Sequence, residues 1–360
     1  MNASTRYNRQ IILPEIGEDG QRKLAKAKVL IIGAGGLGAA VLPYLAAAGV
    51  GEIGIVDHDV IELSNLQRQV IYKTSAVGKY KVEEAKAMIS EFNPGIKVNA
   101  IAEKLSGKNA ISLFENYDII VDATDNLSIK YLINDACLIA KKPMVYGSIF
   151  RFQGQVSVFN YQDGPTYRCL YPEENNKVLN CEDAGVIGIS VGIIGMLQAN
   201  EVIKMILEIG EVLNGKILVY NILNNEQQKY DFDKNQAFEM NEIEFQKKYN
   251  SDKNHVQEIS SEAVLNEIDA DEVLFLDVRN EDEFPKVNFK NGIQIPLMNL
   301  ENEIEKLNTN QTIYVFCQSG IRSKTAVELL QKHQFKNVKS IAGGVLKLKQ
   351  FLKEEIKIEQ

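Results

Sequence analysis

Three glycines have the spacing that proteins use to hold a phosphate against a helix. Gly33, Gly35 and Gly38 form a G-x-G-x-x-G pattern between the apolar run 29–32 and a helical stretch. In this pattern the first glycine permits a tight turn, the second lets the backbone approach a phosphate, and the third allows close packing of helix on strand. Asp57 ends the next apolar run, where an acidic residue can bind a ribose hydroxyl. The pattern predicts a nucleotide site without identifying the nucleotide.

Cationic and acidic residues further along the chain are suited to a phosphate-rich ligand. The polar segment 59–69 contains Asn65 and Arg68, and Lys81 follows it. Arginine offers a planar fork of donors and lysine a point charge. Asp125 is suited to Mg²⁺, which prefers carboxylates together with phosphate oxygens. An NAD-linked oxidoreductase needs neither this metal carboxylate nor so many cations, although a solvated loop and an ordinary surface lysine remain alternatives.

Four cysteines are scattered along the chain, so a disulfide framework is not expected and an important cysteine would be reactive or metal-bound. Cys317 lies between an apolar strand and a helical stretch, among backbone N–H groups that stabilise a thiolate or persulfide. Arg322 adds a cation there. The alternative is an inert thiol at the end of a strand. Cys137 lies in an apolar helix and is expected in the core.

Alternating strands and helices must position these residues. From 29 to 161 they predict a mostly parallel sheet with helices on both faces, and ligands bind such sheets at the carboxyl ends of the strands. Asp57 and Asp125 both follow strands, so we expect them at that edge. Segment 162–190 is expected to be a long loop. We predict a first domain over 1–232, a linker over 233–255, and a smaller α/β domain over 256–360.

Bulk composition limits the classes of partner. The 360 residues carry a net charge of −8, which argues against nucleic-acid binding. The most apolar stretch, 186–197, is interrupted by glycines and followed by polar residues, so no membrane span is expected. The polar start of the chain has no signal peptide pattern, and we expect a cytoplasmic protein.

Several motifs together resemble the E1-like MoeB/ThiF family over about residues 4–222. They are Arg-Tyr-Asn-Arg-Gln (6–10), Gly-Ala-Gly-Gly-Leu-Gly (33–38), Ser-Asn-Leu-Gln-Arg-Gln (64–69), Thr-Asp-Asn (124–126), Gly-Gln-Val-Ser-Val-Phe (154–159) and Gly-Ile-Ile-Gly-Met-Leu-Gln-Ala (192–199). The resemblance implies a Rossmann-like adenylation domain with a mixed, mostly parallel sheet. It also implies a homodimer that uses ATP and Mg²⁺ to adenylate the C-terminal glycine of a ubiquitin-like sulfur carrier protein ending in Gly-Gly.

The same resemblance assigns roles to individual residues. Asp125 would hold Mg²⁺ through ATP, and Arg9 would reach into the neighbouring subunit's site. The residues that would bind ATP are Gly36, Asp57, Ser64, Asn65, Leu66, Gln67, Arg68, Lys81, Asp125 and Asn126.

Two other cysteines are interpreted through this resemblance. Cys181 matches a reactive cysteine that would form a thioester or acyl disulfide with the carrier, and a passive loop thiol is the alternative. Many relatives bind zinc with two C-x-x-C pairs, but here Thr166 replaces the first cysteine beside Cys169, and no cysteine occurs from 182 to 316. A zinc site is therefore not expected.

The second domain resembles a rhodanese, a persulfide-forming sulfurtransferase, over about 256–352. The matching segments are Leu-Asp-Val-Arg (276–279), Cys-Gln-Ser-Gly-Ile-Arg-Ser (317–323) and Ala-Gly-Gly-Val (342–345). The fusion implies that a Cys317 persulfide, supplied by a persulfide donor such as a cysteine desulfurase, converts the adenylated carrier into a thiocarboxylate. A second domain that only docks partners is the alternative. The sequence leaves open whether the carrier serves molybdopterin, thiamine, cysteine or tRNA thiolation.

Overall fold

The computed structural model describes residues 3–172, 185–235, 238, 240–250, 256–268, 270, 272–351 and 358–359. The chain divides into two compact units, Met1–Ser251 and Asp252–Gln360.

An eight-stranded mixed sheet forms the first unit, in the order β3-β2-β1-β4-β5-β6-β7-β8. Neighbours from β3 to β5 are parallel, and those from β5 to β8 are antiparallel. The strands are β1 (Lys28–Ile32), β2 (Glu52–Val56), β3 (Lys97–Ile101), β4 (Ile119–Asp122), β5 (Met144–Phe150), β6 (Gln153–Phe159), β7 (Lys216–Asn221) and β8 (Glu226–Asp231). This confirms the mixed, mostly parallel sheet expected from the sequence.

Helices cover both faces of this sheet because its central strands are apolar on both sides. On β1, Val29 and Ile31 contribute to one buried cluster, whereas Leu30 and Ile32 contribute to the other. The helices are α1 (Ala3–Arg6), α2 (Asn8–Ile11), α3 (Gly17–Lys26), α4 (Gly36–Ala48), α5 (Lys81–Phe92), α6 (Ala110–Glu115), α7 (Leu127–Ala140), α8 (Tyr167–Leu170), α9 (Gly188–Leu207) and α10 (Glu242–Tyr249).

Helix α9 is long and apolar because it packs inside the unit. By length and composition it is the one helix among the described residues that could cross a membrane, and half of its most apolar window is buried. It packs closely along α4, because a Cβ added at Gly195 of α9 would lie only 2.7 Å from Leu37 O of α4. Its buried Gln198 donates to the carbonyl of Asp122 at 2.8 Å.

Two segments contain more structure than the sequence analysis expected. The predicted loop over 162–190 includes α8, whose Arg168 forms a buried ion pair with Asp135 at 2.7 Å. Part of the predicted linker forms α10, whose Phe245 is fully buried in the first unit. Strand β8 is exposed along its whole length, so it lacks the apolar alternation that would reveal it.

The second unit contains a five-stranded parallel sheet in the order β12-β10-β13-β14-β9. A separate antiparallel pair joins β11 to β15. The elements are β9 (Glu258–Ile259), α11 (Ser261–Leu265), β10 (Val273–Asp277), β11 (Lys286–Val287), β12 (Gly292–Gln294), α12 (Leu297–Leu300), β13 (Thr312–Phe316), α13 (Ile321–Lys332), β14 (Val338–Ile341), α14 (Gly344–Phe351) and β15 (Ile358–Glu359).

Candidate active sites

The glycine-rich turn connects β1 to α4 at the carboxyl edge of the first sheet. Gly33 has a φ of 97°, and its N–H donates to Val56 O at 2.9 Å. A Cβ added at Gly38 would lie 2.2 Å from Gly33 O, so only glycine permits the helix to begin this close to the strand. The hydroxyl of Tyr72 donates to Ala34 O at 2.8 Å and so holds the backbone of the turn.

Asp57 connects this turn to a carboxylate that the sequence analysis did not single out. Its Oδ2 accepts from the N–H of Ala34 at 2.8 Å, and its Oδ1 accepts from the N–H of Asp59 at 2.8 Å. Asp59 in turn forms an ion pair of 2.9 Å with Lys81, which is 6% exposed. The predicted nucleotide residues Asp57 and Lys81 therefore lie close together, linked through Asp59.

The segment that follows is held in place by its own backbone. Asn65 is buried and accepts from the N–H of Glu62 at 3.2 Å, while Leu66 packs on the apolar core. Arg68 donates to Ser64 O at 3.1 Å and lies beside Gly36, where an added Cβ would be 3.7 Å from Arg68 Cγ. Ser64 and Gln67 are exposed. This segment therefore contributes Arg68 as a cation beside the start of α4.

Asp125 lies on the loop after β4, which meets the glycine-rich turn: a Cβ added at Gly33 would be 2.8 Å from Ala123 O. Its carboxylate is exposed and has no partner within the described part of the chain. The neighbouring Asn126 caps α7 by accepting from the N–H of Ile129 at 3.1 Å. An exposed carboxylate beside a phosphate-binding turn is a chemically suitable ligand for Mg²⁺.

Buried Lys130 fixes the turn that presents Asp125. Its ammonium donates to Asp122 Oδ2 at 2.7 Å, to Thr124 O at 2.8 Å and to Gly147 O at 2.9 Å. Asp122 also accepts from Thr124 through both the N–H and the hydroxyl. Neither Asp122 nor Lys130 was recognised from the sequence, although a carboxylate in an otherwise apolar strand end was a visible signal.

Arg9 lies away from this edge of its own subunit. It is exposed on α2, and the next residue, Gln10, donates to Ala48 O at 3.1 Å, at the C-terminal end of α4. Gly36 begins the same helix, and with a rise of 1.5 Å per residue the two helix ends are about 18 Å apart. The structure therefore does not bring Arg9 together with the nucleotide residues of the same chain.

Cys317 lies at the end of β13 in the second unit, with its sulfur next to the start of α13. Sγ accepts from the N–H of Gly320 at 3.2 Å, and its S–H points to Ser323 Oγ at 3.7 Å. A Cβ added at Gly344 would lie 2.3 Å from Cys317 O, so α14 can approach the loop only at a glycine. The thiol is 1% exposed. The Gly320 N–H at the start of α13 is suited to stabilise a sulfur anion.

Both guanidinium groups near the Cys317 loop are paired with carboxylates. Arg322 forms two hydrogen bonds of 2.6 Å with Glu283, and these bonds hold the pKa of the Glu283 carboxyl below its usual range. Buried Arg279 pairs with Asp277 at 2.6 Å and donates to Gln318 Oε1 at 3.2 Å. The sequence analysis identified Arg322 as a cation but missed Glu283, because it lies in a polar loop distant in sequence.

The remaining cysteines differ in their surroundings. Cys181 lies outside the described residues. Cys169 is half-buried, and its Sγ accepts from the N–H groups of Thr166 at 3.3 Å and Asn235 at 3.2 Å. Cys137 is fully buried in the core, and burial raises the pKa of its thiol. Of these, Cys137 has the environment of an inert structural thiol.

Comparison with known families identifies the two units. The model of the ThiF family matches residues 7–240. The chain belongs to the ThiF family. In this ThiF-family protein, a rhodanese-like domain follows and matches residues 260–350.

Curated relatives share both parts of this ThiF-family chain. A probable molybdopterin-synthase adenylyltransferase of Porphyra purpurea is 40% identical, over 95% of this chain and 91% of the relative. A probable adenylyltransferase/sulfurtransferase, MoeZ, of Mycobacterium tuberculosis is 39% identical over 95% and 91%. The Arabidopsis thaliana adenylyltransferase and sulfurtransferase MOCS3 is 35% identical over 94% and 82%. These relatives confirm an adenylyltransferase with a sulfurtransferase domain, and do not favour the interpretation that the second domain only docks partners.

Solved structures resemble the first part of the ThiF-family chain. E. coli MccB with ATP has a TM-score of 0.57 and 26% identity, and the alignment covers 64% of this chain and 73% of MccB. E. coli MccB with AMPCPP and MccA has a TM-score of 0.59 and 26% identity, and the alignment covers 66% of this chain and 75% of MccB. This part of the chain therefore has the fold of MccB, a protein that has been solved with ATP.

Proposed function

We propose that the first unit adenylates the C-terminal carboxylate of a ubiquitin-like sulfur carrier protein ending in Gly-Gly. The observation that carries this proposal is the convergence of three loops at one sheet edge: the glycine-rich turn, the Asp57–Asp59–Lys81 chain and the loop bearing Asp125. A carrier carboxylate oxygen attacks the α-phosphorus of ATP, the bond to the bridging oxygen breaks, and pyrophosphate leaves with the electron pair.

The residues of this edge act by position and charge. Asp57 orients the turn for the nucleotide, while Arg68 and Lys81 neutralise phosphate charge that would otherwise oppose the attack. Asp125 would hold Mg²⁺, which when bound neutralises further charge on the phosphates. The carboxylate of Asp125 is exposed and has no partner among the residues that the structure describes, which supports this role.

The active enzyme is a homodimer in this proposal, with Arg9 completing the site of the neighbouring subunit. Two facts support a contribution of Arg9 to the site of the neighbouring subunit. Arg9 is exposed without a partner among the described residues, and its helix lies at the end of α4 that is remote from Gly36.

The rhodanese-like domain supplies sulfur through Cys317. A cysteine persulfide donor, such as a cysteine desulfurase, transfers its terminal sulfur to Cys317. The terminal sulfur of the new persulfide then attacks the acyl carbon of the carrier adenylate, and AMP leaves. A thiolate, for which Cys181 is our candidate, then attacks Cys317 Sγ of this acyl disulfide, so that a disulfide between this thiol and Cys317 forms and the thiocarboxylate leaves with the electron pair. A thiol reductant then returns both sulfurs to thiols. The N–H of Gly320 at 3.2 Å from Cys317 Sγ supports the anionic sulfur.

We propose that the protein has no structural zinc. The residue three positions before Cys169 supports this, because Thr166 stands where the other cysteine of a C-x-x-C pair would be. A structural zinc site requires four protein ligands, which are usually cysteines or histidines.

Intact-mass spectrometry of the carrier tests the complete reaction. With ATP, Mg²⁺, a persulfide donor and reductant, one oxygen of the carrier should be replaced by sulfur. The mass of the carrier should rise by the difference between these two atoms. Cys317→Ala should stop this gain and leave the acyl-adenylate, whereas Cys169→Ala serves as a control that should retain it. Thiocarboxylate formed by Cys317→Ala at the wild-type rate would exclude the second domain as the sulfur source.

A further inference from the structure

The pair between Glu283 and Arg322 sets the charge at the Cys317 site. Its two hydrogen bonds, both 2.6 Å, have the forked geometry in which arginine binds a carboxylate most strongly. Both side chains are mostly buried, with 25% and 17% of their surfaces exposed. The guanidinium is therefore already occupied by an internal anion.

This pair lies directly against the loop that carries the reactive sulfur. Arg322 is in the first turn of α13, next to Ser323, whose Oγ is 3.7 Å from Cys317 Sγ. On the other side, Gln318 donates to the carbonyl of Phe284, the residue after Glu283, at 3.2 Å. The 283–284 segment thus contacts the loop through both a side chain and the backbone.

Within the described part of the second unit, the other cations around this loop do not offer a replacement for Arg322. Arg279 is fully buried, is paired with Asp277, and uses another N–H for Gln318. Lys347 lies beside Gly343, but it is exposed, so water screens its charge. Arg279 and Arg322, the two guanidinium groups beside this loop, are therefore each paired with a carboxylate.

We propose that Glu283 is a specificity-determining residue that disfavours doubly charged sulfur donors such as thiosulfate, in favour of a singly charged cysteine persulfide. This inference rests on the proposed role of Cys317 as sulfur acceptor. With thiosulfate, the Cys317 thiolate attacks the outer sulfur, an S–S bond forms, and the bond to the sulfonate breaks as sulfite leaves with the electron pair. With a persulfide, the same attack releases the donor's cysteine thiolate. Of the two donors, only thiosulfate is a dianion when it approaches the pair of Glu283 and Arg322.

The test compares two donors on the full-length protein. Thiosulfate is followed by sulfite release, and the tripeptide acetyl-Gly-Cys-Gly-amide carrying a persulfide is followed by release of its thiol. Glu283→Gln keeps the shape of the side chain and removes its negative charge from the site. It should raise kcat/KM for thiosulfate relative to the peptide persulfide by about tenfold, equivalent to about 1.4 kcal/mol. The gain should shrink at high salt, because it is electrostatic.

Matched variants distinguish the effect of the Glu283 charge from the effect of removing any negative charge from this loop. Glu281→Gln makes the same charge change two residues away on the exposed part of the loop and should leave the donor ratio unchanged. Glu283→Asp keeps the carboxylate and should stay close to the wild-type ratio. An unchanged ratio in Glu283→Gln, or an equal rise in Glu281→Gln, would overturn the proposal. If wild-type Cys317 accepts sulfur from neither donor, the proposed sulfur transfer fails first, and this inference fails with it.

Discussion

Removing the Lys130 ammonium tests how the turn before Asp125 is held. Lys130→Met keeps the length of the side chain but leaves the fully buried Asp122 carboxylate without its cation, which is 2.7 Å away. Breaking a buried ion pair on one side costs about 3–5 kcal/mol. The carbonyls of Thr124 and Gly147 lose a donor as well. We therefore expect a loss of about 3–5 kcal/mol in the stability of this region.

Native-state hydrogen exchange measures this loss locally, which matters because the chain has two units and need not unfold in one step. Peptides from β4 and α7 should exchange faster in Lys130→Met, while peptides from β10 and β13 should not change. Lys141→Met, an exposed lysine at the end of α7, is the control and should change stability by less than about 0.5 kcal/mol.

A double variant shows whether the cost comes from the unpaired carboxylate. Adding Asp122→Asn to Lys130→Met removes the buried charge. The stability loss of the double variant should therefore be smaller than the sum of the two single losses by more than about 1 kcal/mol. Additive losses, or a Lys130→Met loss below about 1 kcal/mol, would refute the view that this pair holds the turn.

Three further outcomes are expected. Mixing inactive Arg9→Ala with inactive Asp125→Ala protein should restore some carrier adenylation in heterodimers, and no recovery after verified subunit exchange would contradict a shared site. Elemental analysis should give far less than one zinc per chain; stoichiometric zinc would require ligands other than Cys169. Burial would raise the pKa of Asp135, but the hydrogen bonds from Arg168 and Tyr249 outweigh it and hold that pKa below its ordinary value. The stabilisation that Asp135 contributes is therefore present above a pH of about 4 and is lost on further acidification. Asp135→Asn should make the free energy of unfolding of the first unit less dependent on pH in the acid range.

The sequence predicted the site best where one local pattern determines the backbone. Gly33 and Gly38 could be recognised because no other residue fits their turn, and the apolar run of β1 identified a strand buried on both faces. Asp57 and Asp125 could be placed at one edge because parallel strands end there together. These predictions depend on spacing along a short piece of chain.

The sequence did not predict partners that meet only after folding. Asp59 and Glu283 lie in polar loops where any carboxylate would suit solvent, and only the fold brings them to Lys81 and Arg322. Strand β8 pairs through its backbone and exposes its side chains, so no periodicity marks it. Helix α10 has a single fully buried anchor, Phe245, which is too weak a signal in a polar segment.

Carrier-dependent exchange of pyrophosphate into ATP tests the central claim most directly. The wild-type protein should catalyse this exchange only when a carrier with a free C-terminal Gly-Gly is present, and Cys317→Ala should do so equally well because adenylation needs no thiol. Asp125→Ala should abolish the exchange while remaining folded. Exchange without a carrier, or unchanged exchange in a correctly folded Asp125→Ala variant, would contradict the proposed adenylation at the edge where β1, β2 and β4 end.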